Sequence, residues 1–133
     1  MATVKLIRDE EASAEVLAVF DDIRAVRKTN FINNFWRGLA NDPQQLKAIW
    51  EEIKTVMAPG AIDPLTKEMI YIAVSVANSC TYCTHSHTAA ARAKGMSQQQ
   101  HNELMRVIAL AGKTNHAVNA MQLDTDDDFK ADK

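Results

Sequence analysis

The sequence lacks any long apolar run. Its longest, Met69–Val74, is six residues, far shorter than the roughly 20 residues that a membrane-spanning helix needs. The opening residues MATVKLIRDEEAS contain no apolar segment of the kind found in signal peptides. From these absences we expect a cytoplasmic protein with no membrane as its partner.

An excess of one charge is missing as well. The 15 Lys and Arg nearly balance the 17 Asp and Glu, so the net charge is -2 and nothing indicates a nucleic acid as a partner. The chain is 47% hydrophobic and 24% charged, which is ordinary for a globular protein. We therefore expect one domain, and a length of 133 residues allows it a modest core. Internal repeats are not visible.

Cysteine is scarce, and both residues of this type lie in one short stretch, CTYCTHSH. Cys80 and Cys83 are three positions apart, so they can form a disulfide within one helical turn. A pair of this kind, in a chain without an export signal, indicates redox or metal chemistry more than a structural bridge. If Cys80 begins a helix, the free N–H groups and the positive end of the helix dipole favour a thiolate there.

Two further residues extend this pattern. On a helix that starts at Cys80, His87 lies on the same stripe as both cysteines, one turn after Cys83, where it can accept a proton. Glu68 could reach His87 only if the chain reverses near Ser79 into an antiparallel helix. Cys83, His87 and Glu68 would then be a nucleophile, a base and a group that orients the base, in that order.

Each of these residues also has a simpler interpretation. The cysteines could be buried structural thiols, or Cys80, Cys83, His87 and Glu68 could bind zinc. His87 could be a core histidine, and Glu68 a solvated glutamate in the first turn of its helix. We assign no role to Tyr82, His85, His101 or His116.

The periodicity of apolar residues predicts helices along the chain. In no segment is a strand favoured over a helix. Alternating Ile70, Ile72, Val74 and Val76 would also suit a strand, but the length of the segment and its Asp-Pro start favour a helix. We expect the aromatic residues between Phe31 and Trp50 in a core or an interface. The predicted helices are 10–28, 31–40, 43–56, 64–79, 81–94, 98–111 (ended by Gly112) and a short 114–122.

The pattern Glu-x11-Cys-x-x-Cys-x3-His, formed by Glu68, Cys80, Cys83 and His87, resembles the active-site signature of the AhpD-like alkylhydroperoxidases in the carboxymuconolactone decarboxylase superfamily. FWRGLANDP (35–43) and AKGMS (93–97) resemble the segments around that signature, and the resemblance covers about residues 30–112. One position departs from the best-studied peroxidases of the family, because Tyr82 stands where they have a histidine.

The resemblance implies an all-α helical bundle that works as a homotrimer or homohexamer. The AhpD-like helical domain is expected over 1–123, with its motif core at 64–95. Four aspartates among residues 124–128 predict an acidic mobile tail at 124–133. The resemblance also implies that Cys83 attacks a hydroperoxide with the help of His87 and Glu68. Cys80 then forms the disulfide, and a dithiol reductant protein or a lipoyl group reduces it, with no bound cofactor or metal.

The leading hypothesis is thus a thiol-dependent peroxidase, an oxidoreductase of antioxidant defence. A protein disulfide reductase or a redox sensor would use the same dithiol for another partner. A metal-binding module is a third hypothesis. A lactone decarboxylase is the weakest, because the two cysteines would then have no function.

Overall fold

A computed structural model describes residues 1–131 of the chain, and all regular structure in that range is helical. The all-α class is therefore confirmed, and the alternating residues between Ile70 and Val76 lie in a helix. The helices are α1 (Ala14–Arg27), α2 (Asn34–Leu39), α3 (Pro43–Val56), α4 (Pro64–Ala77), α5 (Thr81–Ala93) and α6 (Gln98–Met121), with short 3-10 helices at Asp9–Glu11 and Asp127–Phe129.

Polar side chains fix where the longer helices begin. Ser13, Asp42 and Asp63 each accept a hydrogen bond from a backbone N–H in the first turn of the helix that follows. Pro43 and Pro64 then occupy the first helical position, where the missing N–H of proline has no cost. The Asp-Pro pairs that predicted the starts of α3 and α4 are confirmed.

Three predicted helices have wrong boundaries, and one of them is α2, which begins at Asn34 instead of residue 31. The first helix begins at Ala14 instead of residue 10, because Ser13 caps it and the preceding acidic residues form a 3-10 turn. The chain also continues through Gly112 as one 24-residue helix, so the separate helix at 114–122 does not exist. A glycine costs a helix interior only about 1 kcal/mol, and the left-handed residue that ends α6 is Gln122, with φ 51°.

The first of two compact units, Met1–Ala58, contains the large apolar core. Helices α1 and α2 both pack on α3. The rings of Trp36 and Trp50 lie in this core in an edge-to-face contact with centroids 5.5 Å apart, whereas Phe31 and Phe35 are exposed. The buried residues of this core are Val16, Val19, Phe20, Ile23, Ile32, Trp36, Ala40, Leu46 and Trp50.

The second unit begins at Pro59 and has a smaller core. Helix α4 packs against both α5 and α6, and Ile72, Ala91 and Met96 are buried between them. Within the described residues, no helix combines the length and the apolar character that crossing a membrane requires. The boundary between a helical domain, 1–123, and a tail, 124–133, stays a prediction, and residues 132 and 133 of that tail lie outside the described range.

Candidate active site

One face of α4 carries the buried polar groups of the second unit. Glu68 and Ser75 are buried and Tyr71 between them is half-buried, all three at helical spacing, and Glu68 is only 4% exposed. The Ser75 hydroxyl donates a 2.7 Å hydrogen bond to the Tyr71 carbonyl, one turn earlier, so that its own polar group is satisfied. A glutamate this deeply buried needs partners, because an unpaired buried carboxylate is costly.

The chain reverses direction at Ser79. This residue adopts a left-handed backbone with φ 58°, a conformation that costs a non-glycine residue free energy. The Cys80 N–H then donates to the Ser75 carbonyl at 2.8 Å, which ties the turn back to the end of α4. The predicted reversal near Ser79 is confirmed, and α5 returns along α4.

Cys80 is the N-cap residue of α5, as the sequence predicts. Its Sγ accepts a hydrogen bond from the Cys83 N–H at 3.3 Å. A sulfur in this position lies against the unpaired N–H groups of the first turn, which stabilise a negative charge. Both cysteines are free thiols in this structure, and both are partly exposed.

The antiparallel helices bring Glu68 to His87. Glu68 Oε2 and His87 Nδ1 lie 2.6 Å apart, and the two side chains are 6% and 18% exposed. The predicted contact between these two residues is therefore confirmed. A carboxylate on Nδ1 fixes the ring orientation and leaves Nε2 as the other ring nitrogen for proton exchange.

Sequence reasoning missed a second partner of Glu68. The Lys94 ammonium donates to Glu68 Oε1 at 3.1 Å, so each carboxylate oxygen has its own cationic or imidazole partner. Lys94 follows His87 by seven positions, which is two helical turns, and that spacing could have indicated a shared face of α5.

Tyr71 is the other site residue that the sequence did not reveal. Its ring stacks on the His87 ring, with centroids 3.6 Å apart and planes 20° from parallel. Tyr71 lies one turn after Glu68 on α4, so one helix face supplies both a hydrogen bond and a stacking surface to the same imidazole. The orientation of His87 is thus fixed from two directions.

The pKa values of Glu68 and Tyr71 follow from these contacts. Burial raises the pKa of Glu68, but the hydrogen bonds and charges of His87 and Lys94 outweigh it, and the net pKa lies below its ordinary value. Burial also raises the pKa of Tyr71, and negative charge on Cys83, Glu68 and Cys80 raises it further. Glu68 is therefore ionised and Tyr71 neutral near pH 7.

The two thiols differ in acidity. The pKa of Cys80 is lowered, because its sulfur accepts hydrogen bonds from the side chain and the backbone of Cys83. Burial, the donated hydrogen bond and the negative charge of Cys80 raise the pKa of Cys83 to about 11. The first proton therefore leaves Cys80, and Cys83 needs a base in order to form a thiolate.

Tyr82 and His85 are exposed on α5. Across the part of the chain that the structure describes, no group of three or more His, Cys, Asp or Glu side chains is placed to hold a metal ion. The zinc hypothesis therefore gains no support from the arrangement of Cys80, Cys83, His87 and Glu68.

Comparison with known proteins gives the family. The model of the carboxymuconolactone decarboxylase family matches residues 43–126, well over half of the chain. The chain is also similar to the crystal structure of an alkylhydroperoxidase AhpD core from Rhodospirillum rubrum, with 63% identity, a TM-score of 0.95 and 97% of each chain covered. The chain belongs to the carboxymuconolactone decarboxylase family and has the AhpD-like fold, as its signature predicts.

A curated relative is more distant. An uncharacterized protein of the cox locus of Paracoccus denitrificans is 38% identical over 56 residues, which is 42% of this chain and 50% of that protein. The chain therefore matches about half the length of this relative, and the match carries no assignment of activity.

Proposed function

We propose that the protein is a thiol-dependent peroxidase, an oxidoreductase that reduces hydroperoxides through the Cys80–Cys83 dithiol. Two contacts made by α5 carry this proposal: Cys80 Sγ accepts from the Cys83 N–H at the start of α5, and buried Glu68 holds His87, which lies one helical turn after Cys83. The similarity to a protein described as an alkylhydroperoxidase AhpD core supports the same reaction class.

The proposed cycle begins with proton transfer. Because the pKa of Cys83 is raised, its thiol needs a base to lose its proton. In the proposed cycle His87 is that base, and Glu68 orients it and stabilises its charged form. The Cys83 thiolate attacks the distal oxygen of the hydroperoxide, the O–O bond breaks, and the proton on His87 goes to the leaving alkoxide. The products are a Cys83 sulfenic acid and an alcohol, or water in the case of hydrogen peroxide.

The second step closes the disulfide. The Cys80 sulfur attacks the Cys83 sulfenic sulfur and displaces water, so the two thiols together supply the two electrons that reduce the peroxide. An external dithiol, either on a reductant protein or on a lipoyl group, restores both thiols by exchange. In this scheme sulfur carries the electrons, and no bound cofactor or metal is required.

Stopped-flow oxidation of the reduced protein tests the proposal. We expect hydrogen peroxide and an organic hydroperoxide to remove two thiols per chain rapidly, with mass spectrometry showing a Cys80–Cys83 disulfide. The control is the Cys80→Ser/Cys83→Ser double variant, which must not consume peroxide. Oxidation at the rate of a simple free thiol, without preference among peroxides, would contradict the peroxidase.

A protein disulfide reductase is the second candidate, and the lowered pKa of Cys80 favours it. A thiolate at a helix N-cap is suited to attack a disulfide as well as to resolve a sulfenic acid. The two functions differ in substrate preference. Rapid reduction of a protein disulfide, together with slow reaction towards peroxides, would establish the reductase and exclude the peroxidase.

We also propose that the chain forms a homotrimer or homohexamer, acts in the cytoplasm and has no nucleic-acid or membrane partner. Its long α6 has an exposed apolar stripe at helical spacing, formed by Val107, Leu110, Val118 and Met121. A second copy of the chain would remove this surface from water. Light scattering coupled to gel filtration gives the mass, and a monomer at micromolar concentration would contradict this proposal.

A further inference from the structure

Lys94 contacts the site from the far end of α5. It is the C-cap residue of that helix, and its ammonium donates to Glu68 Oε1 at 3.1 Å. The lysine side chain is 39% exposed, whereas the glutamate side chain is 6% exposed. A cation is also favoured at this end of a helix by the unpaired carbonyl groups. The C-terminal end of α5 is therefore a favourable position for the Lys94 ammonium, which contacts the buried Glu68 carboxylate from there.

The two oxygens of Glu68 are divided between two partners. Oε2 contacts His87 Nδ1 and Oε1 contacts Lys94 Nζ, so the carboxylate is held at both ends. If Lys94 were removed, Oε1 would lose this bond while remaining buried, and a buried acceptor without a partner is costly. The carboxyl group could then rotate or take up a proton, and either change would weaken its hold on His87.

We propose that Lys94 is a positioning residue of the active site, which keeps Glu68 ionised and turned so that Oε2 faces His87. This role in catalysis rests on the proposed peroxidase function. It assigns to Lys94 no contact with the substrate or with the sulfurs.

The charges of the site show what this role would achieve. Lys94 and Glu68 cancel each other, so proton transfer from Cys83 to His87 begins and ends with no net charge among these four groups. Without Lys94 the same transfer takes place beside an uncompensated negative charge. Every nearby group that must lose a proton, including Glu68 and the two thiols, would then lose it only at a higher pH.

The surroundings of Glu68 contain few other groups that could take over this task. Helix α5 contributes His87 and Lys94, and α4 contributes Tyr71, whose pKa responds to the charge of Glu68. Negative charge on the two thiols also raises the pKa of Tyr71. Helix α6 also packs on α4, where Leu104 and Ile108 lie against the apolar core, and half-buried His101 is on the same face of α6 one turn before Leu104.

The test compares three variants, Lys94→Met, Lys94→Gln and Lys94→Arg, with Lys113→Met as a control for the loss of an exposed lysine on α6. The rate of thiol alkylation by iodoacetamide is measured from pH 4 to pH 10 on the reduced proteins, and the rate of oxidation by an organic hydroperoxide is measured over the same range. Alkylation reports the thiolate without requiring that peroxide is the substrate.

We expect the acid limb of both profiles to move to higher pH by roughly one unit in Lys94→Met and Lys94→Gln. Lys94→Arg should restore the position of the limb, and Lys113→Met should leave it unchanged. Lys94→Gln retains a hydrogen-bond donor, so a shift in that variant shows that the charge is what matters.

A limb that stays in place in both Lys94→Met and Lys94→Gln would overturn the proposal. So would a uniform fall in rate at every pH, since that is the effect of a structural role alone. If the wild-type thiols react with iodoacetamide but not with hydroperoxide, the peroxidase function fails, and the alkylation profiles still decide whether Lys94 tunes the site.

Discussion

The two units of the chain bury different kinds of residue. In the first, Phe20, Ile23 and Leu46 are completely buried, and the core contains only apolar side chains. In the second, the apolar core is small and Glu68 is among its least exposed residues. The first unit thus uses burial for packing, whereas the second uses it to isolate a carboxylate from water.

The ion pairs of the two units show the same contrast. In the first unit Asp22 accepts hydrogen bonds from the Trp50 indole and from Lys54, each at 2.7 Å, but its side chain is 43% exposed. Pairs this close to water contribute little to stability. Glu68 has an equally complete set of partners at 6% exposure, where its protonation state strongly affects its neighbours. Similar contacts therefore lie close to water in one unit, whereas in the other they surround a buried charge.

The largest expected effect is the loss of turnover in Cys83→Ser. A hydroxyl in place of the thiol cannot act as the peroxide nucleophile, so we expect no detectable turnover with a dithiol reductant. The urea midpoint should remain close to that of the wild type, because serine is similar in shape to cysteine. A large loss of stability would show that the site also holds the second unit together.

Cys80→Ser is the matched variant for this experiment. It should oxidise once, form a Cys83 sulfenic acid that dimedone traps, and then stop. Full turnover in Cys80→Ser would remove Cys80 from the cycle.

The opposite effect is expected in the first unit. Trp50→Ala removes a ring that is 2% exposed, and such a change typically costs about 3–5 kcal/mol of unfolding free energy. Urea denaturation followed by circular dichroism measures this loss, while thiol oxidation is measured at low temperature on the folded protein. Trp50→Phe, which retains a smaller ring and loses the hydrogen bond to Asp22, should lie between. If the rate of thiol oxidation falls together with the free energy of unfolding, the contrast between a packing core in the first unit and a reactive site in the second is wrong.

Glu68→Gln should reduce the rate of thiol oxidation by roughly 100-fold, within the usual range for a disturbed acid–base group. It should also change how stability depends on pH. Because the pKa of Glu68 is lowered in the folded protein, the stability it contributes is present above its ordinary value of 4.5 and is lost as pH falls through the folded pKa. The wild type should therefore lose more stability than Glu68→Gln below pH 4.5.

The smallest effect is expected at Gly112, in the interior of α6. A Cβ added there meets no atom within 4 Å, and alanine should stabilise the helix by about 0.5–1 kcal/mol. Gly95 is the control, because its φ of +98° is strained for any other residue, so Gly95→Ala should destabilise the protein. A rise in thermal midpoint for Gly112→Ala and a fall for Gly95→Ala would confirm both assignments.

The sequence predicted the contact between Glu68 and His87 from spacing and a reversal near Ser79, whereas the helix at 64–79, and with it the all-α class, was settled by the family resemblance. A Cys-x-x-Cys followed by a histidine defines one stripe on a helix, and one reversal near Ser79 then brings the glutamate back. The roles of Cys80, Cys83, His87 and Glu68 in catalysis stay predictions, since geometry alone does not test them.

Lys94 and Tyr71 were missed for a physical reason. A lysine at a helix end and a tyrosine on an apolar face are common, and neither type indicates a site without its neighbours. Their functions depend on the side-chain packing between α4 and α5, which spacing within one helix does not specify. The end of α6 was missed because a single glycine is a weak helix breaker when good helix formers flank it.

The compact placement of the site along the chain has a consequence for folding. The most widely separated contact in it, between Glu68 and Lys94, joins residues only 26 positions apart. Loops of this length close rapidly, and proteins rich in such local contacts fold quickly. The residues of the candidate site therefore assemble as soon as one helical hairpin closes, and recovery of thiol reactivity after denaturation should be an early event in refolding.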